Sequence, residues 1–327
     1  MVLRIAVVGL GRIGSSIGLA LKKKKGASVE IVGHDKDHNA ARSAHKSGCV
    51  DRTDWNLISA CDDADLTVIS TPLTAIKSTL QALATELKPG CVVTDTASLK
   101  VPVLNWAHEL LPAGVHFVGG HPILANQDVL QMGAELFAGA VYCLTPTTSA
   151  PPDAIQRTSD LVEAVGAKPY YIDAAEHDGL IAAVEQLPLL MALALQGVVS
   201  ASPSHREIAQ LSGADFGSVT EPLAGGVHGS TEDQAKATAE VCGLNAANIA
   251  RWLDAFLAKL SSLRESVALQ DSESLQQAIA SALEARALWR HQEIEGEATD
   301  YSDFGMQHQM LGDLFRQRKA PPERDRD

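Results

Sequence analysis

The stretch Arg4-Ile5-Ala6-Val7-Val8-Gly9-Leu10-Gly11-Arg12-Ile13-Gly14 decides how the first half of this chain folds. A short β-branched run ends in a Gly-x-Gly-x-x-Gly spacing that opens an amphipathic segment, Ser15–Lys25. That strand–turn–helix context separates a dinucleotide fingerprint from a chance glycine cluster. Gly9 permits the tight turn, Gly11 lets the backbone approach a pyrophosphate, and Gly14 lets the helix pack closely on the strand. The helix N-terminus then faces the phosphates, with Arg12 and Ile13 in its first turn and Arg12 within reach of phosphate or adenine. The competing reading is a glycine turn that merely leads into a helix. The residues that follow weigh against it.

The next strand candidate, Glu30–Gly33, runs on to Asp35, about 20 residues beyond Gly14, where such folds carry an acidic residue. A carboxylate there accepts hydrogen bonds from the adenosine ribose and repels a 2′-phosphate, which favours NAD over NADP. The adjacent Lys36 softens that preference. Further strand candidates are Leu66–Ser70, Val92–Thr94, His116–Val118 and Ala140–Thr145, with helical stretches at Asn39–Ser47 and Leu73–Leu87 between them. Alternation at this spacing predicts an α/β fold over residues 1–172, a doubly wound parallel sheet of Rossmann type covered on both faces. Thr71 and Pro72, ending the strand LTVIS, should meet the nicotinamide half of the cofactor at the carboxyl edge of the sheet.

After residue 173 the strand pattern stops. Helical patterns cover Ala174–Ser200, Ser204–Gln210, a long segment around Asp233–Gln270, and Ser272–Gln292, predicting an all-helical domain over 173–318. Ile249, Leu253, Phe256, Leu257 and Leu260 form one apolar face, of the kind that packs against a second subunit. The polar tail KAPPERDRD, 319–327, reads as disordered.

Composition agrees with a globular protein. The 327 residues are 46% hydrophobic and 20% charged, enough for about two domains of ~150 residues each. The net charge is −13, and no basic stripe exists to neutralise a phosphate backbone, so nucleic acid is not an expected partner. Cys49, Cys61, Cys91, Cys143 and Cys242 show no CxxC pair and no metal-ligand spacing. They read as reduced thiols of a cytoplasmic protein that holds no metal. The N-terminus reaches its glycines before any signal-peptide core could form. The apolar stretch Ile181–Val199 is broken by Glu185, Gln186, Pro188 and Gln196, which predicts a buried bundle helix rather than a bilayer span.

Two segments at strand ends carry the chemistry, Thr94-Asp95-Thr96-Ala97-Ser98-Leu99-Lys100 and Gly119-Gly120-His121-Pro122. Both should project beside the nicotinamide. A histidine there takes a proton while hydride leaves the neighbouring carbon, because its unperturbed pKa lies near neutrality. Ser98 can bond the substrate hydroxyl or orient the imidazole of His121, and Lys100 offers a charge to a carboxylate. A lone His before Pro in a glycine loop is more often structural; the dinucleotide context gives it a catalytic reading.

These residues carry a resemblance. FVGGHPILANQ, GAELFAG and LTP, with Asp95, Ser98 and Lys100, are similar to the signature of the prephenate dehydrogenase family. Gly166-Ala167, His177-Asp178 with Ala182, and the helical pattern around Asn245 to Leu260 extend the likeness over roughly residues 3 to 290. The resemblance implies a Rossmann domain followed by a helical domain that makes a homodimer. It implies His121 as catalytic base, with Ser98 bonding both it and the substrate hydroxyl. It also implies NAD-dependent oxidative decarboxylation of prephenate or arogenate in tyrosine biosynthesis. There are departures. Where the family has Ser-His-Leu-Pro-His, this chain has Glu185-Gln186-Leu187-Pro188-Leu189. Where an Arg should grip a carboxylate, Glu221 follows Thr220, and Glu repels what Arg binds. Gln186 can still donate a hydrogen bond to substrate, and His205, Arg206 or His228 are candidate replacements for the missing cation.

Two alternatives stand beside this reading. One is another NAD(P)-dependent dehydrogenase or reductase of the same shape. A 3-hydroxyacid dehydrogenase would need a helical Lys in the second domain, and residues 160–200 hold only Lys168. The other is a dinucleotide-binding protein that has lost turnover, against which the retained Ser98 and His121 argue.

Overall fold

The computed structural model describes residues 2–124, 132–223 and 230–295. Residues 125–131, His228 and the 319–327 tail lie outside the described residues. The first half alternates as the glycine motif predicts: β1 Leu3–Val8, α1 Arg12–Lys25, β2 Val29–His34, α2 His38–Lys46, β3 Arg52–Thr53, α3 Leu57–Cys61, β4 Leu66–Ile69, α4 Leu73–Leu83, β5 Val92–Asp95, α5 Val101–Leu110, β6 His116–Ile123, β7 Val141–Pro146, α6 Pro152–Ala164 and β8 Lys168–Tyr171. They build one eight-stranded sheet in the order β3-β2-β1-β4-β5-β6-β7-β8. The winding reverses between β1 and β4, so a ligand crevice opens at the carboxyl ends of those strands.

The sheet is buried on both faces, and β1 shows why. Ile5 and Val7 point into a core with Ile17 and Leu21 of α1 and Leu161 and Val162 of α6. Ala6 and Val8 point the other way, onto Ile76 and Leu80 of α4 and Val103 of α5. Successive side chains of a strand alternate faces, so a continuous apolar run fits only where helices cover both.

Two expectations need correction. The sheet is mixed rather than wholly parallel, because β7 runs antiparallel to β6 and β8 then runs parallel to β7. Between β6 and β7 the described residues form turns without a helix, so the chain returns along β6 instead of crossing over the sheet. Gly119-Gly120-His121-Pro122 is also not a loop after a short strand; it lies inside β6, paired with β7. Past Val118, β5 no longer accompanies β6. One edge is thereby left free, which tolerates a proline that has no N–H to donate.

The helical half comprises α7 Ala174–Ile181, a π-helical turn Ala182–Gln186, α8 Leu187–Ser200, α9 His205–Leu211, α10 Ala214–Thr220, α11 Thr231–Leu244, α12 Ala246–Ala268 and α13 Ser272–Glu295. The π turn interrupts the helix expected over 174–200, and a break at Asn245 divides the long segment expected over 233–270. Pro188 accounts for the first: it has no N–H for the carbonyl a turn earlier, and the Leu187 N–H reaches back five residues to the Ala182 carbonyl. The second helix of that divided segment begins after the α11 cap at Asn245. The combined run Ala174–Ser200 is long and apolar enough to cross a bilayer, one 18-residue window within it having a mean hydropathy of 1.6. Its polar residues His177, Asp178 and Gln186 are nevertheless hydrogen-bonded to other elements of the protein. Residues up to Asp254 form one compact unit and those from Ala255 another. The helices α7 to α11 thus share a unit with the sheet, which the end of the strand pattern at residue 172 does not reveal.

Candidate active site

The dinucleotide end assembles where β1 and β4 diverge. Gly9 has φ +92°, and a side chain there would collide with the Ser70 carbonyl at the end of β4. Its N–H donates to the His34 carbonyl at 2.8 Å. Gly14 packs against the Gly9 carbonyl, whereas Gly11 is exposed, with nothing within 4 Å of where a Cβ would stand. Gly11 caps α1 without a side-chain hydrogen bond, and no acidic residue occupies the first turn of that helix. Its N–H groups therefore face open space with the positive end of the helix dipole. Ile13 turns inward onto the core while Arg12 stays half-buried.

Asp35 does more than end β2. One carboxylate oxygen accepts from the Leu10 N–H at 2.7 Å and the other from the Asp37 N–H at 2.8 Å. The side chain ties the glycine loop to the β2–α2 turn and keeps further lone pairs for a ribose. On the β4 side, Thr96 donates to the Ser70 hydroxyl at 3.2 Å. The Thr71 hydroxyl is buried with no partner among the described residues, and Pro72 immediately precedes α4. An open glycine, an uncapped helix start and an orphaned hydroxyl make a set that a dinucleotide satisfies.

The chemical end is built on a buried ion pair. Asp95 closes β5; its carboxylate accepts from the Ala97 N–H at 2.9 Å and the Gly120 N–H at 3.1 Å, and pairs with Lys100. Lys100 Nζ also donates to the Gly120 carbonyl at 2.6 Å, and both charged side chains are 0% exposed. The expectation that Lys100 presents its charge to a substrate carboxylate is therefore corrected. Its ammonium is enclosed and neutralised by Asp95, and it clamps the β5 loop to β6 beside His121. Only glycine fits at 120, since a Cβ would come within 2.6 Å of the Asp95 carbonyl oxygen and 2.9 Å of the Tyr142 ring.

His121 is buried, and its two nitrogens have different surroundings. Nδ1 lies 3.1 Å from His177 Nε2, and Nε2 lies 3.7 Å from Glu185 Oε1. Among the described residues no hydrogen bond joins His121 to Ser98, which is half-buried in the β5–α5 loop; the expected Ser98–His121 bond gives way to His177. His177 Nδ1 in turn faces Asp178 Oδ1 at 2.8 Å. The Asp178 carboxylate also accepts the N–H groups of Lys100 at 2.7 Å and Val101 at 2.9 Å, at the start of α5. Gln186 is buried; its Oε1 accepts from Asn245 Nδ2 at 2.7 Å, while its Nε2 has no partner among the described residues. The π turn is what brings both Glu185 and Gln186 to this place. His205, Arg206 and Glu221 are exposed.

Electrostatics follow from burial. Burial first, then the charge of Lys100 and the neighbouring His177, hold the His121 imidazole well below its usual pKa. It is therefore a neutral proton acceptor at neutral pH. Burial pushes the Glu185 carboxyl up to about 7. Cys143, opposite His121 in β7, is pushed up by burial to about 11 and stays a thiol. In the sequence His177 and Asp178 belong to the family resemblance, with nothing local to connect them to residue 121.

Residues 17–171 match the family described as "Prephenate dehydrogenase, nucleotide-binding domain" and residues 173–281 match "Prephenate dehydrogenase, dimerization domain". The chain is 32% identical over 196 residues, 59% of its length, to a prephenate dehydrogenase of Lactococcus lactis subsp. cremoris, and spans about half, 52%, of that relative. It spans the same 52% of a Bacillus subtilis prephenate dehydrogenase, to which it is 31% identical. To a cyclohexadienyl dehydrogenase of Zymomonas mobilis it is 29% identical over 275 residues, 83% of this chain and 90% of that one. In fold it resembles a prephenate dehydrogenase from A. aeolicus in complex with hydroxyphenyl propionate and NAD+, with a TM-score of 0.78 at 22% identity over 88% of this chain and 98% of that one. A Synechocystis arogenate dehydrogenase gives a TM-score of 0.72 at 24% identity over 88% and 100% of the two chains.

Proposed function

Because this chain belongs to the prephenate dehydrogenase family, we propose that it catalyses the NAD-dependent oxidative decarboxylation of prephenate or arogenate, giving 4-hydroxyphenylpyruvate or tyrosine. The observation that carries this reading is His121, a buried neutral imidazole with Nε2 beside Glu185 and Nδ1 bonded elsewhere. Nε2 takes the proton of the ring C4 hydroxyl as the C4–H electron pair departs as hydride. Bound NAD supplies the hydride acceptor. Loss of the ring carboxylate as carbon dioxide returns an electron pair to the ring, and His121 gives its proton back to the phenolic oxygen. Glu185, when ionised, offsets the imidazolium charge in between. Ser98 donates to the hydroxyl and Gln186 Nε2 to a substrate carboxylate. Aromatisation drives the reaction, so the protein has to supply positioning and one base.

The deciding assay follows NADH formation with NAD or NADP and each substrate in turn. Turnover of a cyclohexadienol supports the reading; NADH binding with no turnover on either substrate overturns it and leaves a dinucleotide-binding protein. Asp35→Ala should lower the NAD-to-NADP ratio of kcat/KM by about 10-fold, because one carboxylate both binds the ribose and repels a 2′-phosphate. A ratio equal to wild type would limit Asp35 to its Leu10 bond.

Charge favours arogenate over prephenate. Its amine makes it one negative charge less repelled by Glu185. With a carboxyl raised to about 7, Glu185 is neutral below that pH and anionic above it. The arogenate-to-prephenate ratio of kcat/KM should therefore rise as pH passes upward through about 7, and Glu185→Gln should abolish the rise. A pH-independent ratio in wild type would remove Glu185 from substrate choice.

The enzyme is further proposed to be a cytoplasmic homodimer joined through residues 173–281. Its cysteines are free among the described residues, in keeping with a reducing compartment. Helix α8 buries only Ala192 and leaves Leu193 and Val198 exposed. Exposed apolar surface on that scale marks an association face. Sedimentation equilibrium giving a monomer at micromolar concentration would refute the dimer.

A further inference from the structure

We infer that His177, anchored by Asp178, is a positioning residue that decides which nitrogen of His121 acts as the base. The inference rests on the reading of His121 as that base. The argument is one of hydrogen-bond inventory. A carboxylate only accepts, so Asp178 Oδ1, 2.8 Å from His177 Nδ1, requires the hydrogen of that pair on His177. A neutral imidazole with a hydrogen on Nδ1 has a bare lone pair on Nε2. In the state we propose His177 is neutral, and its lone pair lies 3.1 Å from His121 Nδ1, so His121 donates from Nδ1. A neutral His121 protonated there has its own lone pair on Nε2, the nitrogen that stands beside Glu185. Asp178 thus specifies the tautomer of His121 through the intervening His177.

The anchor is rigid for reasons the same geometry supplies. Asp178 accepts the Lys100 and Val101 N–H groups at the start of α5 at 2.7 and 2.9 Å, so its carboxylate is fixed by backbone rather than by solvent. The register of α7 is set by Asp173, whose side chain accepts from the Ala175 N–H at 2.8 Å and the Glu176 N–H at 3.1 Å. Asn245 holds the Asp178 carbonyl from α11's end at 2.9 Å. His177 and Asp178 are 1% and 2% exposed, so water does not compete for these bonds. When His121 gains a proton, its positive charge lies one ring from an immobile carboxylate, which stabilises the imidazolium without reorganisation.

The test uses the full chain and two substitutions. His177→Phe removes the acceptor and should lower kcat by about 100-fold, within what a correctly oriented general base contributes, with little change in KM. His177→Gln restores an acceptor for His121 and a donor for Asp178, and should recover most of that loss. Nitrogen-15 NMR of the substrate-free protein supplies a readout that packing alone would not move. Wild-type His121 should show the Nδ1–H tautomer, and the Phe variant should populate Nε2–H. The pH profile of kcat is read alongside, since Lys100, Asp95, Cys143, His177, Asp178 and Glu185 all surround His121 and the substitutions change only one of them. Wild-type His121 in the Nε2–H form, or a Phe variant with wild-type kcat, overturns the inference. If the Phe variant does not fold, the wild-type tautomer and the Gln variant decide. If the wild type turns over no cyclohexadienol, the proposed function fails while the NMR result still stands or falls by itself.

Discussion

Replacing His121 with Asn is expected to lower kcat for NADH formation by about 10³-fold if it is the base proposed above, within the range that a positioned general base contributes. Asn is smaller than His, but its amide can still donate to His177 Nε2. It cannot hold a proton at neutral pH, so the loss should appear in kcat while NADH affinity stays at the wild-type level. Stopped or steady-state absorbance at the NADH band measures the first and fluorescence titration the second. The pH dependence carries a further sign. The proposed base works only when unprotonated, and burial with Lys100 nearby holds His121 below its ordinary range. Wild-type activity should therefore persist on the acid side of the usual histidine midpoint, and the residual rate of the Asn variant should lose that limb. A variant retaining more than about a tenth of wild-type kcat would mean that another group takes the proton.

Lys100→Met is expected to cost stability on a scale that few single changes reach. It leaves the Asp95 carboxylate, itself 0% exposed, with two backbone donors but no cation. Breaking a buried pair from one side costs about 3–5 kcal/mol, because the remaining charge is neither solvated nor paired. For a unit of this size that corresponds to a drop of roughly 10 °C in the unfolding midpoint, measurable by circular dichroism. The Gly120 carbonyl loses its donor at the same time, so His121 is less well placed and kcat should fall as well. Adding Asp95→Asn removes the stranded charge and should restore part of the stability without restoring kcat. A single variant within about 1 kcal/mol of wild type would show that water reaches Asp95 and that the clamp is dispensable.

The local features of this chain were legible because they are encoded over a few residues. The alternation Ile5, Ala6, Val7, Val8 and the glycines that follow define a strand, its turn and its helix by sterics alone. Asp35 was readable from spacing, although its bond to the Leu10 N–H was not. Three expectations fail. Glycine and proline weaken a strand, so Gly119-Gly120-His121-Pro122 reads as loop, yet β7 supplies a ladder that overrides local preference. Lys100 was read as a substrate cation because a lysine near a catalytic His invites it, while the Asp95 that neutralises it lies only five residues away. Ser98 was expected to hold His121, and a residue 56 positions away does so instead.

What the sequence by itself determined is the dinucleotide-binding half, the helical character of the remainder, and His121 as the group to examine. These follow from periodicity, turn sterics and the short list of side chains able to move a proton at neutral pH. Tertiary structure alone decided the partners of that histidine. The His121–His177–Asp178 series joins β6 to α7 and to the start of α5, and the π turn caused by Pro188 carries Glu185 to the opposite nitrogen. A hydrogen bond requires about 3 Å and the right direction, and between distant segments both are set by strand register and helix phase. No local pattern contains either quantity.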